Sequence, residues 1–197
     1  MHWPSCARFL YNTYKGHAEL VLQGDGPNMF SMEGVTQGDP LSMLLYGIST
    51  LPLINKLQEV QGVHQCWYAD DSSAQGSLRQ LRQWWDKVME LGPPIGYYPQ
   101  GPKSYLVVHP SDVVDAERLF EGSGIAVVTG QRFLGGYIGR EEGKLAYLKG
   151  KIDRWCSTAK KLSNIAEKQP QDAHVAFVKS LQFRWQFVQK ILGRPGE

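Results

Sequence analysis

The chain has 197 residues, of which 42% are hydrophobic and 11% aromatic, so it can bury the core of about one domain. Charged residues make up 20% and no residue type dominates a segment, which excludes wholesale disorder, collagen and coiled coil. The longest apolar stretch, residues 40–55, contains Pro52 and is shorter than the roughly 18 residues that a membrane span needs. We therefore expect no contact with a membrane.

Neither the amino terminus nor the cysteines indicate export. Arg8 and Lys15 interrupt what would be the apolar core of a secretory signal. The cysteines at positions 6, 66 and 156 are odd in number, far apart and outside any CxxC spacing, which indicates a reducing compartment and no metal cage. We expect an intracellular protein with small buried cysteines, and no compact Lys/Arg cluster distinguishes nucleus from cytoplasm.

Charge is divided unevenly along the chain. Residues 143–197 carry eleven Lys or Arg against four Asp or Glu, whereas residues 1–142 carry ten against fifteen. A basic segment beside an acidic body suits a protein that holds a polyanion with one part and gathers carboxylates around cations with another. A solvated helix face is the alternative explanation of the basic segment.

Residues 1–99 are predicted to alternate between helices and hairpins. Apolar spacing predicts a helix over residues 1–14, and turn residues between two short runs predict a hairpin from 19–23 and 28–32. Asp39 is the expected N-cap of the next helix, with Pro40 at its first position. A second hairpin is predicted from 63–68 and 72–74, and Ser77 is expected to cap a helix that buries Trp84 and Trp85 and ends at Gly92.

Residues 100–197 change from mixed structure to helices. Strands are predicted over 105–108, 125–128 and 132–138, with a helix from Ser111 or Asp112 to Phe120. Two long helices are predicted over 146–168 and 171–191, divided at Pro170. The fold class is therefore α+β: an antiparallel sheet with helices on one face, followed by a small helical subdomain with a basic surface.

Two adjacent aspartates, Asp70 and Asp71, lie at the bend of the second predicted hairpin. Carboxylate oxygens at a hairpin tip are suitable ligands for hard cations such as Mg²⁺, and phosphoryl transfer is their natural use. A two-metal site needs carboxylates from more than one segment. A polar turn is the alternative explanation of an Asp-Asp pair.

Four motifs in order resemble the reverse transcriptase family, most closely its retrotransposon members. Residues 34–42, GVTQGDPLS, and residues 68–71, YADD, resemble the family's B and C motifs. Residues 96–99, GYYP, with Lys103 resemble its D motif, and residues 133–136, FLGG, resemble its E motif, the primer grip. The resemblance covers most of the chain from about Trp3 onward, and it implies a polymerase palm over residues 1–140 and a thumb over 141–197.

The resemblance implies a role for each motif residue in RNA-directed DNA synthesis, with an RNA or DNA template, a primer, dNTPs, and Mg²⁺ or Mn²⁺ as cofactor. Asp70 and Asp71 are implied to be catalytic, metal-binding carboxylates, and Lys103 a positive charge or proton donor near the triphosphate. The implied substrate-binding residues are Gln37, Gly38, Pro40, Ser42 and Tyr68. The implied primer grip is Phe133, Leu134, Gly135 and Gly136. Basic residues of the thumb would hold the nucleic acid by its phosphates: Lys149, Lys151 and Arg154.

The family's A motif, a strand with the first catalytic aspartate, has no counterpart before motif B. Glu19, Asp25 and Glu33 are the candidates, but none has apolar residues before it and an aromatic after it. We therefore expect a truncated polymerase that lacks motif A and the fingers, is inactive alone, and has a missing amino-terminal polymerase segment as its partner.

The residues are also compatible with three other interpretations. A non-catalytic nucleic-acid-binding module needs no first aspartate and would use the basic helices alone. A nucleotide cyclase also acts on a triphosphate with paired metals, although the string from Gln37 to Ser42 and the basic tail argue against it. A retroelement relic without cellular function is the remaining alternative.

Overall fold

The computed structural model describes residues 4–21, 27, 29–32, 34–35 and 38–192. The chain forms two compact units, residues 1–99 and 100–197. Helices and strands alternate in the first unit, in the following order: α1 (Pro4–Tyr14), β1 (Ala18–Leu20), β2 (Met29–Ser31), α2 (Ser42–Leu57), β3 (His64–Tyr68), β4 (Asp71–Gln75) and α3 (Leu78–Leu91). β1 pairs with β2 and β3 with β4, each pair antiparallel.

The second unit begins with short strands and continues as helices. Its elements are β5 (Tyr105–Val107), α4 (Val113–Leu119), β6 (Ala126–Val128), β7 (Gly130–Phe133), β8 (Gly136–Gly139), α5 (Glu141–Ala166), α6 (Pro170–Ala176) and α7 (Gln182–Leu192). β5 and β6 are parallel, because α4 carries the chain back between them, whereas β7 and β8 form an antiparallel hairpin. A π-helical segment, Phe177–Leu181, joins α6 to α7.

The core of the first unit lies between α2, α3 and the β3–β4 hairpin. Leu53, Leu57, Trp84 and Val88 are buried together because helical spacing places them on the facing sides of α2 and α3. α3 begins at a capping box in which the Gln80 side chain accepts hydrogen bonds from the backbone N–H and hydroxyl of Ser77.

One amide side chain connects these three elements. Gln65 of β3 donates from Nε2 to the carbonyl of Ile54 in α2, at 3.0 Å. Its Oε1 accepts from the indole N–H of Trp67, at 3.1 Å, and from that of Trp84 in α3, at 3.2 Å. Both indole donors are thereby satisfied at the edge of the core, which fixes the orientation of the hairpin on the helices.

The second unit has its own core. Trp155 of α5 packs with Leu181 and Val188, and its ring lies 4.6 Å from the Trp185 ring, centroid to centroid. Because these residues come from α5, the π-helical segment and α7, this cluster holds the helical part of the unit together.

The mixed α+β class is confirmed, but several expected details are wrong. The described strands form separate two-stranded pairs, and one pair is parallel, so the expected single antiparallel sheet is not seen among the described residues. Residues 132–138 form a hairpin rather than one strand, since the chain turns at Leu134 and Gly135. Cys66 and Cys156 are exposed rather than buried.

The remaining expectations concern helices. Burial of Trp84 and Trp85 in α3 is confirmed. Asp39 is not an N-cap, because α2 begins at Ser42 with Leu41 before it, and Pro40 therefore lies in the preceding turn.

No helix among the described residues is both long and apolar enough to cross a membrane. The subdomain boundary near residue 140 stays a prediction, and it falls inside the second compact unit.

The Gln65 contacts give a stability prediction. Gln65→Leu keeps the side-chain volume but leaves two indole N–H groups without an acceptor, so we expect the free energy of unfolding to fall by about 1–2 kcal/mol. Urea unfolding followed by tryptophan fluorescence measures this, with Gln83→Leu on the exposed side of α3 as the control. Equal stability of the two variants would show that the Gln65 contacts are dispensable.

Candidate functional site

The acidic hairpin, β3–β4 with its turn, carries both predicted catalytic carboxylates. Tyr68 ends β3 and pairs with Asp71, the first residue of β4, so Ala69 and Asp70 form a two-residue turn. Tyr68, Asp70 and Asp71 are exposed, while Trp67 points toward the core. The alternation of a strand thus explains why the carboxylates reach solvent at the end of the hairpin.

The turn is held from a neighbouring segment by Tyr97. Its hydroxyl donates to the backbone carbonyl of Asp70, at 3.2 Å, and lies 2.8 Å from the Ser72 hydroxyl. The Tyr97 ring also packs on Trp67, with centroids 5.2 Å apart. Ala69 has φ +52°, a left-handed conformation that costs a non-glycine residue about 1–3 kcal/mol, and these contacts offset that cost.

Two tyrosines respond to the acidic hairpin electrostatically. The pKa of Tyr97 is raised, first by burial and then by the charges of Asp70 and Asp71, while the hydrogen bond with Ser72 opposes the rise. The pKa of Tyr46 in α2 is raised by burial, by Tyr97 and by Asp70. Both phenols therefore stay protonated at neutral pH, and the Tyr97 hydroxyl can donate its hydrogen bond to the Asp70 carbonyl.

The acidic hairpin supplies only part of a metal site. Carboxylate oxygens suit Mg²⁺ or Mn²⁺, and those of Asp70 and Asp71 are exposed. Within the described ranges, no three His, Cys, Asp or Glu side chains come together to hold a metal ion. Of the candidates for the first carboxylate, Glu19 is exposed in β1, and Asp25 and Glu33 lie outside the described residues.

The turn before α2 contains the other predicted substrate-binding residues. The Asp39 carboxylate accepts from the Leu41 backbone N–H, at 2.8 Å, and from the Tyr14 hydroxyl of α1. The Ser42 hydroxyl donates to the Asp39 carbonyl, at 2.7 Å, so its contact is within the turn. Gly38 is exposed at φ +92°, which favours glycine there, and Pro40 is exposed; Gln37 lies outside the described residues.

The other predicted site residues belong to the second unit. Lys103 is exposed at the end of a short 3₁₀ turn, Gly101–Lys103, and its proposed role near the triphosphate stays a prediction. The predicted primer grip is the β7–β8 hairpin, with Leu134 and Gly135 at its turn, both at positive φ.

This second hairpin contacts α5. The Tyr147 hydroxyl donates to the Gly135 carbonyl at 2.7 Å, and Lys151 Nζ lies 3.4 Å from the same oxygen. Lys151 Nζ also lies 5.0 Å from the centre of the Tyr147 ring. The structure therefore brings the predicted primer-grip residues together with one of the predicted nucleic-acid-binding lysines.

Two of the three predicted basic residues line a cleft beside this hairpin, which we call the basic cleft. It has a volume of about 780 Å³ and lies between α5, α7 and Arg132 of β7. Lys151 and Arg154 line it, whereas Lys149 is exposed and does not. The cleft is also lined by two aromatic residues that the sequence motifs did not single out, Phe183 and Phe187. Two aromatic residues one helical turn apart with Arg184 beside them are a sequence signal for nucleic-acid binding.

Comparisons with models of protein families, with curated proteins and with solved structures found no match to this chain. The assignment of both hairpins to a function therefore depends on the motif residues and on the local geometry.

The Tyr14–Asp39 hydrogen bond gives a pH prediction. Tyr14 lowers the pKa of Asp39, with a further contribution from the Leu41 N–H, and Asp39 raises that of Tyr14. The stabilisation is therefore present above the unfolded carboxyl pKa of about 4, and it is lost as the pH falls through the lower folded value. It is lost again when the pH rises through the raised tyrosine pKa.

We expect Tyr14→Phe to move the Asp39 carboxyl titration, followed by NMR, to higher pH. The variant should melt at a lower temperature than the wild type at pH 7, and the difference should shrink in acid. Tyr11→Phe is the matched control, because Tyr11 is exposed on the same helix. An Asp39 titration that is unchanged by Tyr14→Phe would contradict the assignment.

Proposed function

We propose that the chain is part of the RNA-directed DNA polymerase of a retrotransposon, which extends a primer with dNTPs on a nucleic-acid template by phosphoryl transfer. The observation that carries the proposal is the acidic hairpin, in which Asp70 and Asp71 are exposed and follow the GDPLS turn in the order of the reverse transcriptase motifs. In this proposal residues 1–140 form part of a palm and residues 141–197 a thumb.

Each set of residues has a separate task in the proposed reaction. Asp70 and Asp71 would hold Mg²⁺ or Mn²⁺ together with ligands from another segment, and the bound metal would supply Lewis-acid stabilisation of the charge on the reacting phosphate. Gln37, Gly38, Pro40, Ser42 and Tyr68 lie along the nucleotide and template. Lys103 neutralises the triphosphate, and the hairpin from Phe133 to Gly136 supports the primer end.

The carboxylate roles can be tested without catalysis. We expect Mn²⁺ to broaden the amide NMR signals of residues 68–72, because its oxygen ligands lie at the acidic hairpin. The double variant Asp70→Asn, Asp71→Asn should remove this broadening. Glu90→Gln, an exposed carboxylate change on α3, should leave it intact. Uniform broadening that these substitutions do not alter would contradict the metal-binding role and the polymerase proposal.

Primer extension tests the catalytic part. We expect no detectable extension by this chain alone with Mg²⁺ and dNTPs, because the described hairpin supplies carboxylates from one segment and a two-metal site needs more. Extension by the longest reading frame that contains the chain, reduced by roughly a thousandfold or more in Asp70→Asn, would support the proposal. Extension that Asp70→Asn leaves unchanged would overturn it.

A second candidate function, a non-catalytic nucleic-acid-binding module, is favoured by the basic surface of α5. Lys149 and Arg154 are exposed, and neither they nor Lys151 form a salt bridge among the described residues. Cations without a protein carboxylate partner are available to phosphates.

This candidate predicts binding that depends steeply on salt. Replacing Lys149, Lys151 or Arg154 by Gln should weaken binding to a labelled oligonucleotide and reduce the slope of log K against log salt by about 0.7–0.9 for each phosphate that is no longer neutralised. Lys56→Gln in α2 is the control. Binding that is independent of salt would exclude this function, and absence of both binding and extension would leave a retroelement relic.

A further inference from the structure

The basic cleft of the second unit combines charge and aromatic surface in a way that phosphate contacts alone do not require. Three of its cations come from α5, at a spacing that places them along one side of the helix: Lys151, Arg154 and Lys161. Arg132 of β7 and Arg184 of α7 complete the cationic lining. None of the lining residues is acidic, and no salt bridge within the described residues engages any of these five cations.

Aromatic side chains form the wall of the basic cleft on α7. Phe183 and Phe187 are one helical turn apart and are 57% and 49% exposed, so about half of each side chain is accessible to a ligand. Trp155 and Val188, which are buried, form the floor between the two helices. Unpaired bases of a nucleic acid stack on exposed aromatic rings of this kind, while neighbouring cations neutralise the phosphates of its backbone.

The position of Phe187 is fixed by the β7–β8 hairpin. A Cβ atom at Gly135 would lie 2.8 Å from Phe187 Cε1, which is closer than real side chains approach. Glycine at this turn, with φ +82°, therefore lets the ring pack against the hairpin backbone. Tyr147 and Lys151 contact the carbonyl of the same glycine, so the hairpin turn lies at one side of the basic cleft.

We infer that the basic cleft binds single-stranded nucleic acid, with unpaired bases stacked on Phe183 and Phe187 and phosphates paired with the surrounding cations. This inference rests on the second candidate function, nucleic-acid binding, and is independent of catalysis. It differs from a contact with duplex phosphates, because a paired and stacked base does not offer its face to a side chain. An acidic peptide would also pair with the cations of the lining, but it has no bases to stack on the two rings.

The test compares strands that share a backbone but differ in their bases. The full chain is titrated with fluorescent oligothymidylate, with an abasic strand of the same length, and with the corresponding duplex. We expect oligothymidylate to bind at least about tenfold more tightly than the abasic strand, because each base that stacks on an aromatic ring adds to the affinity. Replacing Phe183 and Phe187 by Leu should remove this preference while keeping apolar volume against Gly135.

Matched controls separate stacking from charge. Phe177→Leu changes an aromatic residue that is 45% exposed outside the basic cleft, and it should leave the preference for oligothymidylate intact. The double variant Arg154→Gln, Lys161→Gln should lower the affinity for oligothymidylate and for the abasic strand by a similar factor. Lys179→Gln changes an exposed cation outside the cleft, and it should lower neither affinity. Circular dichroism confirms that each variant is folded.

Each result has a definite meaning. Equal affinity for oligothymidylate and the abasic strand in the wild type would overturn the stacking inference while leaving phosphate binding in place. Tighter binding of the duplex, unaffected by the Phe variants, would also overturn it in favour of a duplex contact. Absence of binding to any strand would reject both the inference and the second candidate function. A base preference that disappears only in the Phe183 and Phe187 variant would confirm it.

Discussion

A tyrosine hydroxyl bonded to a turn carbonyl holds each of the two hairpins on which the functional assignments depend. Tyr97 donates to the carbonyl of Asp70, and Tyr147 donates to the carbonyl of Gly135. In both turns a non-glycine residue, Ala69 or Leu134, has positive φ, which costs about 1–3 kcal/mol. A hydrogen bond contributes about 0.5–1.5 kcal/mol, so it offsets the strain only with the help of ring packing. The turns keep their shape because another segment of the chain is bonded to them.

Charged side chains of opposite sign lie near the two hairpins. The first unit presents the carboxylates of Asp70 and Asp71 in solvent, and Tyr46 and Tyr97 stay protonated because burial and nearby negative charge raise their pKa. The second unit gathers Lys151 and Arg154 with exposed phenylalanines around the other hairpin. The chain therefore has two local groups of opposite charge, each within its own unit.

Local signals predicted the elements that need only neighbours in sequence. The hairpin at Asp70, the cap at Ser77 and the burial of Trp84 follow from turn residues, capping chemistry and helical spacing. The predicted start of α2 is wrong because the chain first makes a 3₁₀-type turn, in which the Ser42 N–H donates to the Asp39 carbonyl at 3.1 Å. The first α-helical bond runs from the Leu45 N–H to the Leu41 carbonyl, so the helix begins after Leu41. The predicted helix between the strands at 105–108 and 125–128 is a signal for the parallel β5–β6 pair that the expected antiparallel sheet does not use. The α5–α7 cleft depends on contacts between residues far apart in sequence, which local pattern does not contain.

The two proposed activities differ in how much of their machinery the described residues contain. Phosphoryl transfer with two metals needs carboxylates from separate segments, and the described residues gather only the pair on one hairpin. The basic cleft, in contrast, has its cations, its aromatic wall and its supporting hairpin within one unit. The proposed binding therefore needs no residue outside that unit. The proposed catalysis, in contrast, requires ligands beyond the acidic hairpin.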